Sequence, residues 1–314
     1  MSVFARGLAS LENEPLPKIE WEETECLLCG NREWAPVVEA PDPAPGGLGL
    51  WFAVVQCQEC GLCFTNPRPA ADSIGLFYPE DYRPHRRPAW GPRKSLRSLI
   101  WKSDLGEADI PWHGRGRLLD FGCGNGKFLE RMRGRGWDVT GLDVSPQVAR
   151  QVCEETGVRV LVGELPRDEL APESFDVVTL WQSLEHVHQP RPVLREIHKL
   201  LAPGGRLVAA VPNIDSLPFR WFGSDWFALD LPRHLTHFTP MTLTLMLQRT
   251  GYRIHEVRMV RHSLWLRKSA RLAGRHRRGP YWRRWLVAKP LARIAAWYSQ
   301  VTQQSDCVLV TAEK

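Results

Sequence analysis

The stretch Leu118–Phe128, LLDFGCGNGKF, joins a short apolar strand to a turn that contains three glycines. These glycines, Gly122, Gly124 and Gly126, allow the backbone to bend sharply and to approach a ligand closely. Dinucleotide, mononucleotide and adenosyl sites all use such a turn, so the glycines alone do not identify the ligand. The stretch predicts the first strand and turn of a βαβ unit with a ligand site at the turn.

Acidic residues end two consecutive strands beside this turn. Asp120 lies just before the first glycine, where a carboxylate repels a pyrophosphate and attracts a cation. Asp143 ends the next strand, in VTGLDVS, at the point where an acid accepts hydrogen bonds from ribose hydroxyls. A P-loop is excluded because Phe128 stands where a magnesium-binding hydroxyl would be. The two acids favour S-adenosylmethionine, which carries a sulfonium and an ammonium, over the alternative that they are surface or capping acids.

Strands alternate with helices from residue 116 onward, which is the pattern of a parallel α/β sheet. Seven strands are predicted, at or within 117–121, 138–142, 158–162, 175–181, 202–212, 252–260 and 306–314. Helices are predicted through 128–132, from Ser145 onward, around 193–201 and at 241–249, with another near 93–101. The chain of 314 residues is long enough for this core and a smaller appendage.

Eight cysteines include two Cys-x-x-Cys-Gly turns, CLLCG with Cys26 and Cys29, and CQECG with Cys57 and Cys60. Four thiolates from two such turns form a closed tetrahedral set for zinc. We therefore predict a structural zinc ribbon, with a redox pair or plain buried cysteines as the alternatives. Cys63 repeats the spacing once more, and we interpret it as a strand residue and not as a fifth ligand.

Basic residues are concentrated late in the chain. Between residues 253 and 293 there are 13 Lys and Arg and one acid, so this stretch carries +12 and the remainder −6. Several of the 14 tryptophans are interleaved with them. We predict helices, broken near 279–280, that lie on an anionic membrane surface. The alternatives are packed tryptophans with solvated arginines, or a nucleic-acid surface.

The motifs LLDFGCGNGKFLE, VTGLDVS, FDVVTLWQSLEHVHQP and LAPGGRLVAAVPN, in this order, resemble the class I S-adenosylmethionine-dependent methyltransferases. The Cys-x-x-Cys pair, CGLCFTNPRP and LPRHLTHFTP resemble a bacterial subgroup often found beside cell-envelope glycan and natural-product genes. An aliphatic residue is usual there at Cys63. The resemblance covers roughly 113–261 and the last strand. It implies a Rossmann-like α/β sheet of seven strands with the last one antiparallel.

This resemblance suggests four segments. They are a tail at 1–23, a zinc-ribbon-like domain at 24–66, a linker and cap helix at 67–112, and a methyltransferase domain at 113–314 with a basic helical insertion at 262–303. The first twenty residues contain no apolar segment of a secretory signal, and no run of 18 apolar residues occurs. We expect a cytoplasmic protein, at the inner membrane surface if the basic helices attach there.

The resemblance also assigns cofactor-binding residues. Asp120 and the three glycines would hold the methionine part of S-adenosylmethionine, and Asp143 its ribose. Glu164, after strand three, would meet the adenine amino group, with an exposed loop acid as the alternative. Trp181 and Gln182 would form the floor of the pocket, whereas Asp176 is expected to be a structural partner.

Methyl transfer to a hydroxyl needs an aligned acceptor, exclusion of water and a base, for which histidine is suited. The candidates are His186, His188, His234 and His237, and Arg233 beside them would bind an acidic group of the acceptor. With no cluster of acids after strand four, we expect metal-independent chemistry. The predicted acceptor is a hydroxyl or carboxylate of a glycan, a lipid-linked compound or a natural product. An RNA methyltransferase and a non-catalytic cofactor-binding protein are the alternatives.

Overall fold

A computed structural model describes residues 18–44, 48–78, 116–276 and 279–314. The described chain begins with five short strands, β1 (Trp21–Glu22), β2 (Trp34–Pro41), β3 (Trp51–Cys57), β4 (Cys63–Thr65) and β5 (Arg68–Pro69). The predicted helix near 93–101 lies outside the described residues.

The remaining strands and α-helices follow in the alternating order that the sequence predicts. They are β6 (Arg117–Phe121), α1 (Lys127–Gly134), β7 (Asp138–Asp143), α2 (Pro146–Thr156), β8 (Arg159–Val162), β9 (Phe175–Trp181), α3 (Pro190–Leu200), β10 (Leu201–Pro212), α4 (Leu217–Phe222), β11 (Thr236–His237), α5 (Pro240–Arg249), β12 (Arg253–Val260), α6 (Ser263–His276), α7 (Trp282–Trp285), α8 (Lys289–Val301) and β13 (Cys307–Glu313).

Seven strands form the central sheet, in the order β12-β13-β10-β9-β6-β7-β8. Strand β13 is antiparallel to both of its neighbours, and the other strand pairs of this sheet are parallel. The predicted sheet with an antiparallel last strand is therefore confirmed. The chain order reverses between β6 and β9, and open α/β sheets bind ligands at the carboxyl ends of the strands at such a point.

Local sequence signals explain the helix that follows β7. Ser145 accepts a hydrogen bond from the amide of Val148, and Pro146 occupies the first helical position of α2. The helix ends at Gly157, whose φ of +66° suits glycine. These caps fix the start of α2 directly beyond Asp143, so the strand end and the helix start meet at one edge of the sheet.

The ribbon strands do not fold as a sheet of their own. Strand β11, which follows β10 in the chain, pairs with β4 to give a four-stranded sheet of order β11-β4-β3-β2. Ribbon residues such as Leu28 and Phe64 share one hydrophobic cluster with Leu243 and Val310 of the larger unit. The segment at 24–66 is thus joined by backbone pairing to β11 of the later chain, and it shares a hydrophobic core with the seven-stranded sheet.

The basic insertion forms α6, α7 and α8, with the break between His276 and Trp282 near the predicted position. Helices α6 and α8 pack through small side chains in one buried cluster, which includes Ala270, Ala273, Ala292 and Ala296. The large apolar side chains of α8 therefore lie on the side of the helix that faces away from α6. None of the helices within the described ranges is long and apolar enough to cross a membrane.

Candidate active site and cysteine cluster

The glycine turn follows β6 at the carboxyl edge of the sheet. Gly122 and Gly126 have φ values of +70° and +68°. A Cβ on Gly122 would lie 2.6 Å from the Cβ of Ser183, and one on Gly126 would lie 2.5 Å from a methyl group of Val152. Both positions therefore require glycine, and the turn lies directly against the loop that follows β9.

Asp143 holds the turn in place. Its Oδ2 accepts a hydrogen bond from the amide of Gly124, and its Oδ1 accepts one from the amide of Ser145, each at 2.9 Å. A carboxylate oxygen has two acceptor positions, so both oxygens keep capacity for ribose hydroxyls. The residue thus orders the turn through its own hydrogen bonds, and its contact with the ribose stays a prediction.

Asp120 lies beneath the turn, and only 2% of the residue is exposed. Its Oδ1 accepts a hydrogen bond from the hydroxyl of Thr179 at 2.7 Å. Burial raises the pKa of Asp120 to about 7, the Thr179 hydroxyl lowers it and the charge of Asp143 raises it further. A buried carboxyl group in this state is well suited to a nearby cation, because a positive charge would restore its ionised form.

The other residues predicted to bind the cofactor lie around the same edge. Trp181 packs edge-on against Phe128 at 5.1 Å between ring centroids, and its buried indole nitrogen has no hydrogen-bond partner in the described part of the chain. Gln182 has a φ of +53°, which is strained for a residue other than glycine. Its backbone N–H donates a hydrogen bond to the carbonyl of Ala210. Glu164 is exposed in the loop after β8. Asp176, in contrast, is expected to be a structural partner and not a cofactor ligand, and it forms an ion pair with Arg117.

Three titratable side chains meet after β9. Glu185, His186 and His234 each offer a ligand atom, and these atoms lie within 4.8 Å of one another. Glu185 is 1% exposed, and neither of its carboxylate oxygens has a hydrogen-bond partner among the residues that the structure describes. Burial raises the pKa of Glu185 to about 8, with the charge of Asp230 adding to the rise. The three side chains could also hold a metal ion, so metal-independent chemistry stays a prediction.

His186 is half-buried and its ring is oriented by two partners. Its Nδ1 lies 3.0 Å from the hydroxyl of Tyr78 and 3.0 Å from the carbonyl oxygen of Arg233. His234 stacks edge-on against it, with ring centroids 4.6 Å apart. The hydrogen bond of Nδ1 to a carbonyl is the usual way in which a protein selects the tautomer of a catalytic histidine.

His234 and His237 are buried, and their surroundings favour the neutral ring. His234 donates from Nδ1 to the carbonyl of Ala228, and burial together with the neighbouring His186 holds its pKa well below the usual value. Burial lowers the pKa of His237 to about 3. The Nε2 of His237 lies 3.1 Å from the hydroxyl of Thr65, inside the sheet pairing of β11 and β4. His237 therefore joins the ribbon to the site, and its role as a base stays a prediction.

Arg233 is fully engaged inside the protein. Its guanidinium donates to Asp230, to Asp42 and to the carbonyl of Phe77. These buried contacts hold the guanidinium in the loop, and the role of Arg233 as the group that binds the acceptor stays a prediction. His188 similarly contacts the carbonyl of Pro69 through Nε2.

Sequence reasoning missed two members of this cluster. Glu185 was visible as the neighbour of His186, but nothing in the sequence shows that both of its oxygens would be buried without partners. Tyr78 lies 108 positions before His186, and only the tertiary fold brings their side chains together.

The four cysteines of the two Cys-x-x-Cys-Gly turns come together as predicted. Sulfur atoms of Cys26 and Cys60 lie 3.4 Å apart, those of Cys29 and Cys57 lie 3.5 Å apart, and all four lie within 4.8 Å. Zinc–sulfur bonds of about 2.3 Å in a tetrahedron separate the sulfurs by roughly 3.8 Å. The cluster fits a structural zinc ion. Cys63 lies in β4 and outside this cluster, as interpreted from the sequence.

Burial and backbone amides act in opposite directions on these thiols. Burial raises the pKa of Cys26 to about 11. Burial also acts to raise the pKa of Cys57, but the amides of Cys60 and Glu59 together with the thiols of Cys29 and Cys26 bring it below its ordinary value. Amides turned toward a sulfur stabilise a thiolate, which is the form that binds zinc.

The comparisons with known proteins agree with this architecture. Residues 85–257, more than half of the chain, match the family described as "Methyltransferase domain". The ubiquinone biosynthesis O-methyltransferase of Xanthomonas euvesicatoria pv. vesicatoria is 34% identical over 51% of this chain and 71% of its own length. That of Aeromonas salmonicida is 33% identical over 47% of this chain and 67% of its own.

A solved S-adenosylmethionine dependent methyltransferase from Mesorhizobium loti aligns with 65% of this chain and 94% of its own, at 22% identity and a TM-score of 0.46. Fold, glycine turn and family match together define a class I S-adenosylmethionine-dependent methyltransferase. The chain belongs to the "Methyltransferase domain" family, and it is an enzyme that uses S-adenosylmethionine.

Proposed function

We propose that the enzyme methylates a hydroxyl oxygen of a small-molecule acceptor, with His186 as the general base. The observation that carries this proposal is the oriented His186 ring at the carboxyl end of β9, beside Glu185 and against the loop that touches the glycine turn. The relatives named ubiquinone biosynthesis O-methyltransferase support transfer to oxygen. A glycan, a lipid-linked compound or a natural product remains the proposed class of acceptor.

The cofactor would be held by the residues of the turn. The Gly122–Gly126 backbone would accommodate its methionine part above Asp120, and Asp143 would bind its ribose. We propose that Glu164 contacts the adenine amino group and that Trp181 and Gln182 form the floor of the pocket. When bound, S-adenosylmethionine supplies an electrophilic methyl group on a sulfonium.

The chain itself would supply alignment and proton removal. Tyr78 and the carbonyl of Arg233 fix the His186 ring, so that its Nε2 would take the proton of the acceptor hydroxyl as the oxygen attacks. We propose that His234 and Glu185 form the wall beside this base. A His234 held neutral adds no positive charge that would lower the basicity of His186.

We also propose that the four cysteines hold a structural zinc ion. Strand β3 pairs with β4, and β4 pairs with β11. The ribbon strands therefore support the loop that contains His234. The ion would stabilise the ribbon and would not take part in the transfer.

The test is a labelling experiment with S-adenosylmethionine carrying a tritiated methyl group. A whole-cell extract, separated into lipid, aqueous and RNA fractions, serves as the source of acceptors. We expect label in the lipid or aqueous fraction, with the product identified as a methoxy compound by mass spectrometry and NMR. Label in the RNA fraction, or on nitrogen or carbon, would refute the proposal.

The base is tested with the same assay and two variants. His186→Ala should lower kcat by about 100-fold or more and leave cofactor affinity unchanged, because proton removal is lost. His255→Ala removes an exposed histidine far along the chain on β12 and serves as the matched control. An unchanged kcat in His186→Ala would assign proton removal to another group.

A further inference from the structure

The outer face of α7 and α8 concentrates exposed apolar side chains. Of the 17 large apolar side chains that are exposed in the described residues, eight lie between Tyr281 and Val301. These eight are Tyr281, Trp282, Trp285, Leu291, Ile294, Trp297, Tyr298 and Val301, and we call them the outer face. A patch of this density on a soluble fold usually marks a contact surface.

Helix α8 shows that this exposure is not incidental. Its inner side buries Ala292, Ala296 and Ser299 against the insertion, whereas its opposite side exposes Ile294 to 61% and Val301 to 59%. A helix that packs on a protein in water normally buries its largest apolar side chains and exposes its small ones. In α8 the arrangement is reversed, so the large side chains point to a second, apolar environment.

The chemistry of the surroundings identifies that environment. Between residues 257 and 305 the chain has no acidic residue, and it has 11 Lys and Arg between 261 and 293. Arg284 and Lys289 are exposed on the segment that carries the outer face. Trp and Tyr rings favour the headgroup layer of a bilayer, and each base near an anionic leaflet contributes about 1 kcal/mol.

We propose that the outer face of α7 and α8 binds the surface of an anionic phospholipid bilayer. Trp265 does not take part, because its half-buried ring stacks on His262 at 4.1 Å. RNA would leave the aliphatic side chains of Leu291, Ile294 and Val301 without a stacking partner. A second copy of the chain would bring together two segments that each carry 11 Lys and Arg and no acid. Neither of these partners matches both the apolar and the cationic character.

This inference is independent of the acceptor, and it is tested on the full chain without any activity measurement. The protein is sedimented at moderate salt with vesicles of phosphatidylcholine alone and with vesicles containing 30% phosphatidylglycerol, a composition on the order of that in anionic bilayers. Three variants are compared after their melting temperatures are checked. They are Trp285→Ser with Ile294→Ser, Arg284→Gln with Lys289→Gln, and Met241→Ser as an exposed apolar control on α5.

We expect the wild-type protein to sediment with the anionic vesicles and to remain in the supernatant with the neutral ones. Each double variant should weaken the attachment by about tenfold or more, and Met241→Ser should leave it unchanged. Wild-type protein that stays in the supernatant with anionic vesicles overturns the proposal. So does undiminished attachment of the Trp285→Ser, Ile294→Ser variant. The protein could instead fail to bind vesicles and form a dimer in analytical ultracentrifugation, or bind a labelled single-stranded RNA tightly, in a way that depends on Trp285. Either result overturns the proposal and assigns the outer face to that partner.

Discussion

Arg233 and Asp42 form an ion pair at 2.8 Å in which each side chain is only 2% exposed. Asp42 directly follows β2 of the ribbon sheet, whereas Arg233 directly precedes His234 in the loop beside the proposed active site. The same guanidinium also pairs with Asp230 at 2.8 Å. The neighbouring charges raise the pKa of Arg233 and outweigh its burial, so the ion stays charged. This pair connects the ribbon sheet, through one charged side chain, to the loop beside the proposed active site.

Removal of Arg233 should therefore destabilise the protein strongly. Arg233→Met leaves two buried carboxylates without their partner, and breaking a buried pair costs about 3–5 kcal/mol. Arg220→Met is the matched control, because Arg220 and Asp215 form an equally short pair with both side chains more than half exposed. An exposed pair contributes about 0–1 kcal/mol. Urea unfolding measures both variants, and similar losses in the two would show that burial of the Arg233 pair adds nothing.

Asp143→Ala should lower the affinity for S-adenosylmethionine by about tenfold or more. The variant loses the hydrogen bonds that order Gly124 and Ser145, and it loses the proposed acceptor for the ribose hydroxyls. Asp138→Ala, at the opposite and exposed end of the same strand, is the control. Isothermal titration calorimetry provides both affinities. An Asp143→Ala affinity equal to that of the control would exclude Asp143 from the cofactor site.

Binding of the cofactor should become tighter as the pH rises through the pKa of Asp120. Burial raises that pKa to about 7, so the carboxyl is partly protonated at neutral pH. A cationic ligand favours the ionised form, so its binding lowers the pKa and releases a proton. If only the ionised form binds, the affinity rises by about tenfold between pH 6 and 8 and levels off above.

Calorimetry in two buffers with different heats of ionisation measures the proton release at pH 7. Asp120→Asn removes the titrating group and should remove this part of the pH dependence, while the amino group of the ligand titrates in both proteins. A pH profile that is the same in Asp120→Asn and in the wild type would show that Asp120 does not sense the cofactor charge.

The sequence predicted most of the central sheet because its signals are local. Periodic apolar residues located β6, β9 and β13, and Ser145 with Pro146 marked the start of α2 within one residue. The repeated Cys-x-x-Cys spacing likewise predicted that four sulfur atoms lie together. Each of these predictions depends on residues that are neighbours in sequence or on a repeated motif.

The environment of the site residues could not be predicted in the same way. His237 and Arg233 occur in one motif with His234, yet only the pairing of β11 with β4 shows that His237 is buried against Thr65. The ion pair of Arg233 joins residues 191 positions apart. A side chain that would bind a ligand and one that fixes a loop have the same sequence signature, and burial distinguishes them.

The cysteine cluster leads to the last prediction. Freshly purified protein should contain about one zinc ion per chain, and Cys26→Ser should reduce the zinc content and lower the melting temperature. Cys153→Ser is the control, because Cys153 is exposed on α2 and lies outside the cluster. The loss of stability should extend to the loop with His234, since Thr65 on β4 donates a hydrogen bond to the carbonyl of His234 at 2.7 Å. Hydrogen exchange should therefore show faster amide exchange at 234–237 in Cys26→Ser than in Cys153→Ser. Full zinc content in Cys26→Ser would rule out Cys26 as a ligand, and unchanged exchange at 234–237 after zinc loss would separate the ribbon from the loop.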